Sequence, residues 1–178
     1  MMNYRTSRTW ASLIALATAL WLAGCAGTHP PRSDSELMAD MGDLRPSAKP
    51  AAANEDVPIG EKEGLQVRKE GLFMNVKRGV HRDRETKYLW TIDDRGLCIA
   101  LEQTPFETSR GHITHTNLSK LAHFAGEAWF TGAREVTVNG RSGRFGDRAH
   151  GTEKQYEAAV EYWEKLGYRV EVIPLGKK

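Results

Sequence analysis

A chain of 178 residues with a formal net charge of only +2 carries no global field for a nucleic acid or an acidic membrane, so any anion binding must come from local clusters of arginine. The first third has the composition of an export signal followed by a spacer. That leaves about a hundred residues for folding, enough for one core and too few for a second independent unit.

Arg5 and Arg8 precede the apolar run Trp10 to Trp21, which is rich in alanine and shorter than the roughly 20 apolar residues that cross a bilayer comfortably. The run suits the hydrophobic region of a signal peptide, and it leads into Leu22-Ala23-Gly24-Cys25. This tetrapeptide resembles the lipobox of bacterial lipoproteins, small residues before a cysteine. The resemblance implies cleavage after residue 24 and acylation of Cys25, and with Ala26 rather than aspartate next, sorting to the outer membrane with the domain on its periplasmic face. Cys98 is then the one remaining cysteine; inside Leu97-Cys98-Ile99-Ala100-Leu101 it reads as a buried apolar filler, not a nucleophile.

From residue 25 to about residue 60, prolines alternate with small and charged residues and aromatic residues are missing. Such a composition predicts a disordered tether, since little apolar surface offsets the entropy of ordering. Ser35 to Met41 suits at most a transient helical turn.

Residues 61–178 read as a single domain. Leu65-Gln66-Val67 and Leu72 to Val76 alternate like short strands about a turn at Lys69-Glu70-Gly71. Tyr88 to Ile92 and Leu97 to Glu102 form a hairpin across Asp93-Asp94-Arg95-Gly96, and the return strand, apolar on both faces, is expected centrally. Pro105 ends that strand. His112 to Thr116 reads as a further strand, so period two sends His112 and His115 to opposite sides, a poor arrangement for a metal pair. No metal and no cofactor are expected, and the plain reading is one exposed histidine and one hydrogen-bonded in the core.

Ser119, or Asn117, is expected to cap a short helix through Phe124, broken at Gly126. Glu127 to Phe130, a turn at Gly132, and Glu135 to Val138 then read as strand, turn, strand. Thr152 should cap a long amphipathic helix with Tyr156, Ala159, Val160, Trp163 and Leu166 on one face, stopped by Gly167. Tyr168 to Val172 is a last strand. The order predicts an α+β fold, a small antiparallel or mixed sheet with the long carboxy-terminal helix packed on one face.

The chemically densest stretch is Asn139 to Arg148, where Gly140, Gly143 and Gly146 recur every third residue among Arg141, Arg144 and Arg148. Glycines let successive amides form an anion-binding nest, and arginine forks bind phosphate or carboxylate in two-pronged fashion. Asn139, Arg141, Ser142, Arg144 and Arg148 are therefore the candidate ligand-binding residues. The same loop also reads plainly as a turn.

The order His, Ala-Gly-Glu, apolar strand, Val-Asn-x-x-Ser-Gly-Arg-Phe over His112 to Phe145 resembles a domain found at the carboxy-terminal ends of bacterial polymorphic toxins and phage-linked proteins. Carried over, the resemblance points to His115, Glu127, Ser142 and Arg144. Should catalysis occur, His115 with Glu127 would supply acid and base, and Arg144 would stabilise developing phosphate charge, as in a metal-free nuclease or phosphodiesterase.

Three functions follow. The first is a lipid-anchored envelope module, not an enzyme, that binds an anionic ligand or protein partner through the glycine-arginine loop. The second is the toxin-related enzyme, active or degenerate, whose substrate would be a nucleic acid. The third is an immunity-type lipoprotein.

Overall fold

The structure, a computed structural model, describes residues 30–48, 57–69, 82–104, 112–145 and 151–176. The chain divides into the units Met1–Pro30 and Pro31–Lys178, and the second is the fold described below. Cys25, the strand expected over Leu72 to Val76, the strand end at Pro105, Gly146 and Arg148 lie outside the described residues.

The hairpin forms as expected. β3 (Tyr88–Asp93) and β4 (Gly96–Leu101) pair antiparallel from Tyr88 with Leu101 to Asp93 with Gly96. Their turn is fixed by the Asp93 carboxylate, which accepts from the Arg95 amide at 2.9 Å, and by Gly96 at φ 114°, a left-handed value that a side chain would strain. β2 (Gln66–Arg68) pairs with the outer side of β4, which becomes an interior strand buried on both faces.

On the other side of β3 runs β6 (Phe124–Phe130), followed by β7 (Glu135–Asn139). A helix, α3 (Glu153–Lys165), then crosses over to β8 (Arg169–Ile173), which joins β7 in parallel. The result is a mixed six-stranded sheet in the order β2-β4-β3-β6-β7-β8, within an α+β fold.

α3 begins with a reciprocal cap, the Thr152 hydroxyl accepting from the Gln155 amide while the Gln155 side chain accepts from the Thr152 amide. It is followed by Gly167 at φ 89°. Its apolar stripe buries Tyr156, Ala159, Trp163 and Leu166 against Tyr88, Trp90, Phe124, Phe130, Val136 and Val138. Trp163 is the hub, with ring centroids 5.9 Å from Trp90, 6.0 Å from Phe130 and 5.3 Å from Tyr168.

Four expectations are corrected, the first of them the tether. The stretch expected as a disordered tether contains α1 (Asp34–Met41), closed by a Ser33–Glu36 capping box and packed on α3. Leu37 and Met41, four residues apart and so on one helix face, are wholly buried in the main core. Arg32 pairs with Glu161 and Asp40, and Lys165 with Asp34. β1 (Arg45–Pro46) then pairs with β5 (Leu121–Ala122) in a second, two-stranded sheet. Composition missed this because two apolar residues suffice when a helix groove elsewhere in the chain receives them.

Second, His112 to Thr116 forms no strand. The Asn117 side chain accepts from the Thr114 amide at 2.7 Å and opens a one-turn helix, α2 (His115–Leu118). Third, no helix runs from Ser119 to Phe124. The Ser119 hydroxyl donates to the buried Asp93 carboxylate at 2.6 Å instead of capping, and the chain proceeds through β5 into β6.

Fourth, Gly126 does not break a helix but sits inside β6. A side chain there would come within 1.8 Å of the Asn139 carbonyl oxygen and 2.8 Å of the Trp90 ring, so the sheet admits only glycine.

Candidate functional site

The sheet face away from α3 carries the polar residues. Period two along β6 turns Glu127 away from the aromatic core, where the register of β7 sets Asn139 opposite it. One carboxylate oxygen of Glu127 accepts from the Asn139 side-chain amide at 2.9 Å; the other accepts from the Lys87 ammonium at 2.9 Å. Lys87, just before β3, also lies 3.3 Å from Glu102. Burial works against the Lys87 charge, but the hydrogen bond to Glu127 and the charges of Glu127 and Glu102 outweigh it, so its pKa is raised.

Asn139 uses its side-chain oxygen twice, accepting from the amides of Glu127 at 3.0 Å and Arg141 at 2.9 Å. It is thereby a bracket between β6 and the loop rather than a ligand contact, and it is almost wholly buried.

α2 sets His115 against this group. Its Nε2 lies 2.8 Å from the Gly126 carbonyl oxygen, and since a carbonyl only accepts, Nε2 carries the proton and Nδ1 the lone pair. Burial pulls its pKa from the ordinary 6.5 down to about 4; the Gly126 carbonyl and Glu127 oppose that fall, and the charges of Lys87 and Arg144 add to it. His115 is neutral at pH 7. That ring, Glu127, Lys87 and Arg144 thus form one electrostatic neighbourhood. His112, by contrast, is exposed, as the plain reading of the two histidines has it.

The loop after β7 is organised differently from the expected nest. Four of its amides are used internally: Arg141 donates to Asn139, Ser142 to the Gly140 carbonyl at 3.1 Å, and Arg144 and Phe145 to the Ser142 hydroxyl at 3.3 and 3.1 Å. Neither Gly140 nor Gly143 has a positive φ, so the alternating hand of a nest is not formed there. Gly140 instead allows close packing, since a Cβ would meet Leu175, Phe124 and Tyr156.

Ser142 is buried and structural, while the Arg141 side chain is exposed and that of Arg144 half-buried. Arg45 on β1 clasps the loop, donating to the Phe145 carbonyl at 2.9 Å and the His123 carbonyl at 3.3 Å. The Ala48 amide donates to the Arg144 carbonyl at 2.9 Å.

Of the residues singled out in the sequence, His115, Glu127 and Arg144 are therefore drawn into one neighbourhood, and Asn139 and Ser142 hold the frame. Lys87, Glu102 and Arg45 were not singled out. Lys87 was findable in part, since it shares the strand face of Leu89; its meeting with Glu127 depends on register and cannot be read locally.

A second polar cluster lies on the same sheet face. Asp93 accepts from Arg95 Nη2 and from Ser119, whose oxygen is 2.6 Å from the Thr91 hydroxyl. Cys98 stands beside it, and burial, then the Asp93 charge, pushes its thiol up to about 12. It is inert at neutral pH, in keeping with a buried filler. Among the described residues no group of three or more histidine, cysteine or acidic side chains could hold a metal ion. Compared with protein-family models, curated proteins and solved structures, the chain matches none of them.

Proposed function

We propose that this chain is an outer-membrane lipoprotein of the bacterial envelope, anchored through Cys25, whose periplasmic domain binds an anionic ligand with Arg141 and Arg144. The anchor rests on the Leu22-Ala23-Gly24-Cys25 motif after an apolar run. The binding reading rests on one observation: the Arg141 side chain is exposed and that of Arg144 half-buried on a loop whose frame is fixed by the buried Asn139 and Ser142. Because four of the loop amides are used internally, recognition would fall to arginine forks, with Asn139 and Ser142 holding the loop in shape.

Two experiments test it. Cys25→Ala should release the protein from the membrane fraction and abolish incorporation of a labelled fatty acid; a variant still labelled would end the anchor reading. Arg144→Ala should abolish binding of inorganic phosphate or citrate measured by calorimetry while leaving the melting temperature unchanged, and wild-type affinity should fall with salt. Unaltered binding would remove the loop from the function.

The enzyme reading draws on a different observation, the lone pair on His115 Nδ1 within the electrostatic reach of Glu127. Under it, His115→Ala would lower hydrolysis of a single-stranded RNA oligonucleotide by about 10²–10⁴, the range for a lost general acid or base. Absence of hydrolysis by the wild-type protein would leave the binding reading alone.

A further inference from the structure

β8 ends the sheet, with β7 on one side and no strand on the other among the described residues. The Arg169 amide donates to the Arg134 carbonyl at 2.6 Å, so with period two Arg169, Glu171 and Ile173 turn their amides toward β7. Val170 and Val172 turn theirs outward. Charged edge residues commonly shield such an edge. Here Arg169 pairs with Glu135 at 3.1 Å and Glu171 accepts from Thr137 at 2.8 Å, so both side chains are engaged toward β7 and not across the outer edge.

Beside the outward amides, on the α3 side, runs a groove. Its floor is Val172, 42 % exposed, with Val160 and Tyr156; its wall is the exposed glutamate row Glu153, Glu157 and Glu164. Apolar floor, acidic wall and backbone donors and acceptors that meet no strand among the described residues occur together along one line.

We infer that the β8 edge is a docking site for an extended, basic segment of a partner protein, which adds as a seventh strand. Its outward-facing backbone would bond Val170 and Val172. Every second side chain would lie in the groove, the stem of a lysine or arginine on Val160 and Val172 and its charge among the glutamates. The intervening side chains would pass over Arg169 and Glu171, where small neutral residues fit. A second copy of this chain does not meet the requirement. Two β8 edges paired antiparallel about a two-fold axis would keep both α3 helices on one sheet face and bring glutamate row against glutamate row.

The test uses the full chain in detergent micelles and a fluorescent peptide of alternating lysine and threonine, read by anisotropy. The peptide should bind, more weakly as salt rises, and its glutamate-threonine counterpart should not. Val172→Pro removes the outward amide without removing a donor to β7, and should weaken binding by about tenfold or more, the scale of a lost hydrogen bond to a well-placed partner. N-methylation of the peptide amides that face β8 should do the same to the unaltered protein, which separates loss of docking from loss of fold. Glu157→Lys with Glu164→Lys should reverse the preference between the two peptides. Equal binding by wild type and Val172→Pro, indifference to N-methylation, or no binding by wild type would overturn the inference. So would a wild-type dimer that Val172→Pro dissociates, since the edge would then belong to a second copy.

Discussion

The two faces of the six-stranded sheet are built on opposite principles. Toward α3 the side chains are aromatic and branched aliphatic, and their rings interlock around Trp163 and Trp90. On the other face Leu89, Cys98 and Ala100 form a smaller cluster with Ile59, Leu65, Ile113 and Leu118, Ala125 packs with Ala122 and Phe145, and hydrogen-bonded polar groups lie among them. Burial on the first face is tolerant of salt and, since burial raises the pKa of Tyr156, Tyr162 and Tyr168, indifferent to pH below the range in which tyrosine ionises. On the second, each buried polar group must be matched, so stability there depends on protonation and on geometry. The comparison predicts that volume changes are most damaging on one face and pH changes on the other.

Trp163→Ala should cost about 3–5 kcal/mol in a denaturant titration, the range for truncating a buried aromatic. Leu37→Ala should cost about 2–5 kcal/mol despite its place in a stretch with the composition of a spacer. If that variant is as stable as wild type, α1 contributes nothing to the core.

On the polar face the largest effect should be His115. Its folded pKa lies below its unfolded value, so the unfolded chain binds more protons between pH 6.5 and 4. The stability it confers is complete above about pH 6.5 and is lost as pH falls toward 4, roughly 3 kcal/mol in all. His115→Gln should flatten that slope; an unaltered slope would mean that the ring titrates normally.

Asn139→Ala strips partners from the Glu127 and Arg141 amides and from the Glu127 carboxylate, and should cost about 1–3 kcal/mol. Glu164→Ala, on the exposed side of α3, should fall within about 0.5 kcal/mol of wild type. Should Asn139→Ala prove as mild as Glu164→Ala, the polar face carries no cooperative network.

Legibility in the sequence followed the range of the interactions. The hairpin at Asp93 to Gly96, the alternation of β7 and the stripe of α3 are local patterns, and each was read as the element it forms. α1 was not, because Leu37 and Met41 signify a core only beside the groove that α3 supplies. Gly126 looked like a breaker because its reason, the approach of Asn139, comes from another strand. The site divides likewise. His115, Glu127, Asn139 and Arg144 are close in sequence and were read together, whereas Lys87 and Arg45 arrive through strand register and the β1–β5 pairing.

The docking of α1 also has a temporal side. Arg32 and Glu161 are 129 residues apart, so α1 emerges from synthesis long before its receiving helix exists. Until α3 is complete, Leu37 and Met41 have nothing to cover them, and the main core stays open at one end. Contacts of such separation close slowly and late, since the whole intervening loop must be ordered first. The meeting of the two ends of the domain is therefore expected late in folding, and truncation from either side should leave the same core unsealed and the same apolar residues exposed to aggregation.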